Sequence, residues 1–420
     1  MLRRPPWLFL ALLLAVVVGC GSDDDEGSGA SGGGGGGATS NCGDPIKIGA
    51  SLPLTGEFSE PGKAAQEGYK VWEAMTNEGD GLLGAKVRLV IRDDASNQNT
   101  VVSDYTSLVS RDKVALLLGT FSSLLNIPAS TVAERNRMLY VEPAGGAPEI
   151  FERGYKMLFF AQQATADKQG DLFAEWILSL PEDKRPKTAA YPTLDDPFAI
   201  PVLEGIKEKL EPEGIETVQE STYPVDTSNF DAIANAVKSK NPDLVVHGAT
   251  FADGVGFMRA LKRVNFSPKM IFETSAPSFG NQYLKGIGED RTEGVFYAVS
   301  HTEEATTPGN EEFVAKYKEM FGDQPVQEDA ADAFAAAQVM AAAVEAVGGC
   351  AKEDQTKLAD WLRENEVETI LGPLSWDETG APEGEFLVGQ WQDGKAEIVL
   401  PEEAATSDKI VETYGGGQEQ

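Results

Sequence analysis

The chain has little cysteine, histidine or positive charge. Its 420 residues include three cysteines, two histidines and 35 Lys or Arg against 67 Asp or Glu, a formal net charge of −32. Nucleic-acid binding rests on neutralising phosphates with Lys and Arg, and attraction to anionic lipid needs the same residues. The balance argues against both. His247 and His301 lack metal-ligand spacing, and no Gly-x-Ser-x-Gly elbow accompanies them, so hydrolase chemistry has no visible constellation. Gly254-Val255-Gly256 is a fragment of a dinucleotide fingerprint that starts well after its strand. Beyond the N-terminus no apolar run reads as the roughly 20 residues that a membrane span needs, so a transmembrane receptor or permease in one chain is not expected. There is no short-period repeat. No cofactor and no metal are expected.

What is present begins with Arg3 and Arg4, the apolar run Trp7 to Val18, and Gly19-Cys20. A basic start, a short apolar core and a small residue before cysteine predict a secretory signal over 1–19. Val17-Val18-Gly19-Cys20 resembles a bacterial lipobox, which implies cleavage before Cys20 and acyl chains on it; ordinary cleavage, with Cys20 incidental, is the alternative. One acyl chain binds a bilayer marginally and several bind it firmly. Residues 20–43 hold Asp23-Asp24-Asp25-Glu26 and glycines from Gly32 to Gly37. Such a segment buries too little to offset its ordering entropy and predicts a flexible linker rather than a metal site. The expected location is exported, lipid-anchored at the outer face of the cytoplasmic membrane or in the periplasm.

After the linker, β-rich runs alternate with amphipathic stretches. Strands are expected at Ile46–Leu52, Val87–Ile91, Val114–Leu118 and Leu139–Val141, with helices at Gly62–Asn77, Asn99–Ser110 and from Ser122. The almost wholly apolar Val114–Leu118 suits a strand covered on both faces. A second round has helices at Asp167–Leu180, Ala199–Leu210 and Phe230–Lys240. Its strands are Thr188–Tyr191, Thr217–Tyr223, Leu244–His247, Met270–Phe272 and Val295–Val299. Glu328–Val347, alanine-rich and apolar nearly all round, predicts a helix buried between neighbours. Strand-like runs close the chain at Ile370-Leu371, Phe386–Val388 and Ile398–Leu400. This βαβα order predicts an α/β protein of two doubly wound, mostly parallel lobes.

Several segments resemble one family in order along the chain. Ile46-Lys47-Ile48-Gly49 running into Pro53-Leu54-Thr55-Gly56 is similar to the opening of periplasmic binding proteins of the leucine/isoleucine/valine type. Asp93-Asp94, Gly119-Thr120-Phe121-Ser122-Ser123 and Glu142-Pro143-Ala144-Gly145-Gly146-Ala147-Pro148-Glu149 continue the likeness, and Leu371-Gly372-Pro373-Leu374-Ser375-Trp376-Asp377 with Gly380 completes it. The resemblance implies a type I periplasmic-binding-protein fold, two Rossmann-like lobes joined by three crossovers. Lobe 1 is expected over 44–161 plus 300–372, lobe 2 over 162–299 plus 373–402, and a disordered tail over 403–420. It further implies that the lobes close on a small solute and that an ABC permease receives it. A sensing module with the same fold, or an exported Rossmann-type enzyme, are the alternatives. In that topology Cys42 and Cys350 fall at the same outer end of lobe 1. A disulfide between them is expected, the alternative being two separate thiols.

The resemblance also assigns a ligand site. Ser122 and Ser123 begin a helix after a buried strand, where free N–H groups and hydroxyls can hold a carboxylate, or serve simply as a cap. Ala144, Gly145 and Gly146 form the matching turn, with Gly146 where amino-acid readers carry threonine. On lobe 2 the aromatic position falls at Thr250-Phe251. The acid that would hold an ammonium falls on Ser275, with Glu273 as its substitute two residues earlier. Phe58, Phe121, Phe198 and Phe251 are expected to cage an apolar body. The ligand is then a branched-chain amino-acid-like solute, an amide, or an aromatic or aliphatic carboxylate.

Overall fold

The structure, a computed structural model, describes residues 41–417. The signal, Cys20 and the linker as far as residue 40 lie outside the described residues. The first sheet contains β1 (Ile46–Leu52), β2 (Val87–Asp93), β3 (Leu116–Leu118), β4 (Tyr140–Glu142) and β5 (Leu158–Phe160), all parallel in the order β2-β1-β3-β4-β5. The second contains β6 (Thr188–Leu194), β7 (Glu216–Tyr223), β8 (Leu244–His247), β9 (Met270–Glu273) and β10 (Val295–Val299). A two-stranded hairpin of β11 (Val367–Thr369) and β12 (Gly372–Leu374) stands apart. The antiparallel β13 (Leu387–Gln392) and β14 (Lys395–Leu400) complete the second sheet in the order β14-β13-β10-β9-β8-β6-β7. The fold is therefore doubly wound α/β in two parts, with a chain reversal beside β1 in one sheet and beside β6 in the other. Such switch points open crevices beyond the carboxyl ends of the strands.

Helix Glu328–Val347 is the spine of the first lobe. By length and composition it is apolar enough to cross a membrane, contrary to the expectation that no such run follows the signal. It is instead a core helix, with 67% of its apolar window buried. Its alanines, Ala330, Ala331, Ala333 and Ala335 to Ala337, are buried against β1, β3, β4 and helix Ser59–Glu78. Small residues on both helices let the backbones approach. A Cβ on Gly68 would stand 1.9 Å from the Ala330 carbonyl oxygen, so only glycine fits there.

Three chain passages connect the lobes, after Phe160, near Ser300 and after Leu371, and one side chain ties them. Gln163 Nε2 donates to the Ser300 carbonyl at 2.8 Å and approaches that of Leu371 at 3.4 Å. Trp376 Nε1 donates to the Phe160 carbonyl at 2.6 Å.

Three expectations need correction. The folded unit already includes Asn41 and Cys42. Asn41 Nδ2 donates to Asp354 Oδ2 at 2.7 Å, and Cys42 is disulfide-bonded to Cys350 with Cα atoms 5.2 Å apart. Residues 403–417 are not a loose tail, and 418–420 lie outside the described residues. Val411 and Tyr414 are buried, Gln390 pairs through its amide with both backbone groups of Val411, and Tyr414 N donates to the Lys269 carbonyl. Ile370-Leu371 is the turn of the β11–β12 hairpin rather than a strand. Helices Phe251–Arg263, Asn310–Phe321 and Gln355–Glu364 were not anticipated.

Gly68→Ala tests the helix seam. The variant should lose roughly 1–3 kcal/mol through overpacking, read as a lower midpoint in denaturant, whereas Gly79→Ala, at a negative φ and with the nearest atom 3.6 Å from a new Cβ, serves as the control.

Candidate functional site

One cavity is lined by both lobes where the carboxyl ends of the two sheets face each other. From the first lobe come Phe121 and Ser122 after β3, Ala144 and Gly146 after β4, Phe160 at the end of β5, and Gln162. The second lobe contributes Gln169, Asp196 and Phe198 after β6, Thr250 after β8, and Ser275, Ser278 and Phe279 after β9, with Ala298 and Phe386. The first turn of the spine helix supplies Glu328, Asp329 and Asp332. The atom-free space within this lining, open solvent included, is about 700 Å³.

The two serines have different jobs. Ser122 takes an extended backbone before helix Ser123–Asn136 and its hydroxyl caps nothing. Its Oγ is buried without a partner at the cavity wall. Ser123, expected beside the ligand, faces the protein instead: its Oγ accepts the Ala147 N–H at 3.0 Å, pinning the Ala144–Ala147 turn to the helix start. A parallel bridge between Phe121 and Ala144 draws the same two loops together. Gly145 also lies off the cavity. A Cβ there would meet the Glu142 carboxyl at 2.6–2.8 Å, so its smallness accommodates that buried acid, which desolvation pushes up to about 8. Gly146 does line the cavity, and its carbonyl accepts the Ala166 N–H at 2.7 Å, a bond that joins the two lobes.

Of the four phenylalanines expected as a cage, Phe121 and Phe198 reach the cavity. Phe58 stands behind Phe121, ring centroids 5.8 Å apart, and Phe251 behind Phe279 at 4.7 Å. They support the lining rings without forming it. Phe160, Phe279 and Phe386 complete an aromatic lining that sequence reading missed.

Glu273 is not the substitute for an acid at Ser275. Strand β9 ends at Glu273 and Ser275 turns with φ +41°, so the two side chains no longer share a face. Glu273 points into the second lobe, where Oε2 accepts the Tyr283 hydroxyl at 2.6 Å and Oε1 lies 2.9 Å from His247 Nδ1. His247 Nε2 meets the Tyr223 hydroxyl at 2.8 Å; Tyr223 donates to Asp253 Oδ2 at 2.7 Å, and Asp253 Oδ1 accepts the Thr250 N–H and hydroxyl. With the tyrosine proton spent on Asp253, Nε2–H must donate to Tyr223. The chain ends at Thr250 and fixes that residue at the cavity wall.

The acids that do line the cavity sit elsewhere. Asp196 is buried and its Oδ1 accepts the Phe198 and Ala199 N–H groups. Ser300 Oγ lies 2.8 Å from Glu328 Oε1 and 2.7 Å from Asp332 Oδ1. A hydroxyl has one proton to give, so both contacts are hydrogen bonds only when one carboxyl is protonated. Burial raises the affinity of both acids for a proton. Gln162 Nε2 holds Asp332 Oδ2 at 2.5 Å. Asp329, in the same turn, is pushed up to about 8 by burial and by the charge of Glu328. Sequence reading assigned this whole helix to the core because its alanines run nearly all round; three carboxylates within five residues at its start were the available signal.

Two doubly wound lobes over a shared, ligand-sized cavity are the architecture of a two-lobed solute-binding protein. A family model described as periplasmic binding protein matches residues 45–396, and the chain belongs to that family. The Leu/Ile/Val-binding protein homolog 7 of Brucella suis biovar 1 (strain 1330) is 27% identical over 381 residues, covering 86% of this chain and 93% of that protein. The leucine binding protein LivK of Thermotoga maritima shares the fold with a TM-score of 0.75 at 21% identity, over 84% of this chain and 98% of that one. A solute binding protein of an ABC transporter from Rhodopseudomonas palustris BisB5, solved with 3,4-dihydroxybenzoic acid, gives 0.73 at 23% identity, over 84% and 95%. Family membership implies an extracytoplasmic location, and the family and fold are those of substrate-binding proteins, not enzymes.

The serines make a paired test. Ser122→Ala removes a hydroxyl with no partner and should leave the denaturation midpoint within about 0.5 kcal/mol of the parent, whereas Ser123→Ala strands the Ala147 N–H and should cost about 1–3 kcal/mol. A midpoint that falls for the first and not the second would reverse the assignment.

Proposed function

We propose that this protein is an extracytoplasmic solute-binding lipoprotein that captures a small ligand between its lobes and delivers it to the permease of an ABC transporter. The observation that carries the reading is the cavity between the carboxyl ends of the two sheets, to which both lobes contribute side chains. A ligand touching both walls has more contacts in the closed form than in the open one, and that differential affinity shifts the population toward closure. A permease then distinguishes loaded from empty protein by shape. The solute belongs among branched-chain amino-acid-like compounds, amides, and aromatic or aliphatic carboxylates. Ser122, Ala144, Gly146, Phe121, Phe198, Thr250 and Ser275 are the contacts proposed from both sequence and position, with Gln162 and the start of helix Glu328–Val347 added. The Val17-Val18-Gly19-Cys20 run supports a lipid anchor at Cys20 that keeps the protein beside its permease.

Two measurements test this. Small-angle scattering of the purified protein, over a library of amino acids, amides and carboxylates, should show one class that reduces the radius of gyration and raises the melting temperature by mass action. No compaction with any solute would remove the capture mechanism. Separately, Cys20→Ser should move the protein from the membrane fraction to the soluble exported fraction, and continued membrane association would remove the anchor.

A further inference from the structure

Charge is spread unevenly over a chain whose formal net charge is −32. In the first sheet every strand runs parallel to its neighbours, so the amino ends share one edge, opposite the cavity. A basic residue stands at each of those ends. In sheet order they are Lys86 before β2, Lys47 in β1, Lys113 before β3, Arg137 before β4 and Lys156 before β5. The row is about 19 Å long at the usual strand spacing, and all of its members but Lys47 are exposed. The matching edge of the second sheet alternates in sign instead. Across β7, β6, β8, β9 and β10 it carries Glu216, Lys187, Asp243, Lys269 and Glu293, and Asp243 pairs with Lys269 at 2.6 Å.

The basic row stands where the chain enters the fold. A hollow at this edge is lined by Asn41, Cys42, Lys113, Asn136, Cys350 and Lys352, among others. Gln355 stiffens it: Nε2 donates to the carbonyls of Cys350 at 2.8 Å and Ala115 at 3.1 Å, and Oε1 accepts the Leu139 N–H at 2.8 Å. Of the acids nearby, Asp112 is paired with Arg92 and Asp354 with Lys357. Asp44 and Glu353 remain, against Arg111, Lys113, Arg135, Arg137 and Lys352, whose side chains have no ion pair among the described residues. Acids farther off than a Debye length of about 8 Å are screened at physiological salt, so the edge acts as a local positive surface on an acidic protein. An acyl anchor at Cys20 would bring this same end nearest the bilayer, since any other face could touch it only with the chain drawn round the molecule.

We infer that the outer end of the first lobe is a bilayer-docking face, on which Lys113, Arg137 and Lys352 meet the phosphates of anionic lipid headgroups beside the entry of the tether. Basic residues close to an anionic bilayer are attracted to it, and here charge and chain connectivity select the same face. The inference rests on the lipid-anchor part of the proposed function and adds an orientation to it. The first lobe rests on the membrane, and the second, with its edge of alternating sign, stands outward as the lobe free to swing.

Lysine acylation read by mass spectrometry tests the face on the intact exported protein, with vesicles in excess. The vesicles are equimolar phosphatidylglycerol and phosphatidylcholine, or phosphatidylcholine alone. On the anionic vesicles Lys113 and Lys352 should react at least threefold more slowly relative to Lys240 and Lys285, exposed lysines of the second lobe. The protection should be missing on the neutral vesicles and should vanish at ~1 M salt, where the Debye length is about 3 Å. Lys113→Glu combined with Arg137→Glu should abolish the protection of Lys352 with the melting temperature unchanged. The matched reversal Lys395→Glu with Lys409→Glu, on the second lobe, should preserve it. Equal reactivity of the four lysines on anionic vesicles, equal protection on neutral ones, or protection of Lys352 that survives the Lys113 and Arg137 reversal overturns the inference. The anchor is read separately, by fractionation of Cys20→Ser. A protein without acyl chains would end the anchor reading, while protection by vesicles in excess would still decide the face.

Discussion

The arrangement depends on how closely helices Ser59–Glu78 and Glu328–Val347 approach. Gly68 lies against the Ala330 carbonyl with no space for a side-chain carbon, and Ala330 lies between Asp329 and Asp332. The packing seam and the charged first turn are therefore one object. Where the backbones touch fixes the depth at which the helix begins, and with it the height at which its carboxylates meet the cavity. Strands β1, β3 and β4 lie against the same helix through its alanines, so the loops that follow them are referred to the same surface.

Around that fixed element the site is built in two tiers. The residues that touch the cavity are held by residues that do not. Ser123 ties down the turn that presents Ala144 and Gly146, Phe58 and Phe251 sit behind Phe121 and Phe279, and a hydrogen-bonded chain from Tyr283 through Glu273, His247, Tyr223 and Asp253 ends at Thr250. Rigid backing of this kind lowers the ordering cost of binding, because the lining side chains have few other conformations to give up.

The fold was largely legible in the residues. Short β-rich runs separated by amphipathic stretches are enough to demand doubly wound sheets, and Val114–Leu118 announces a covered strand by being apolar throughout. The site was legible only in part. Loops after strands could be placed, so Phe121, Ser122, Ala144, Gly146, Phe198, Thr250 and Ser275 fall at the cavity. Which neighbour in a pair faces inward depends on a local turn, and here Ser122 was joined by Ser123, and Ser275 by Glu273, without distinction. The acids of helix Glu328–Val347 were hidden for another reason: a helix that is apolar nearly all round reads as core, and its first turn was absorbed into that reading. Val411 and Tyr414 were lost similarly, as two apolar residues in a polar segment whose burial depends on a distant partner, Gln390 or Lys269.

The tie made by Gln163 across the three inter-lobe passages has a mechanical consequence. A point near a pivot travels little when two bodies rotate about it, and a point far away travels far. Gln162 is the next residue in the chain, and its amide holds Asp332. The Asp332 carboxyl is thus held beside the passages that join the lobes. A solute that touches Asp332 therefore meets the part of the wall nearest the inter-lobe passages.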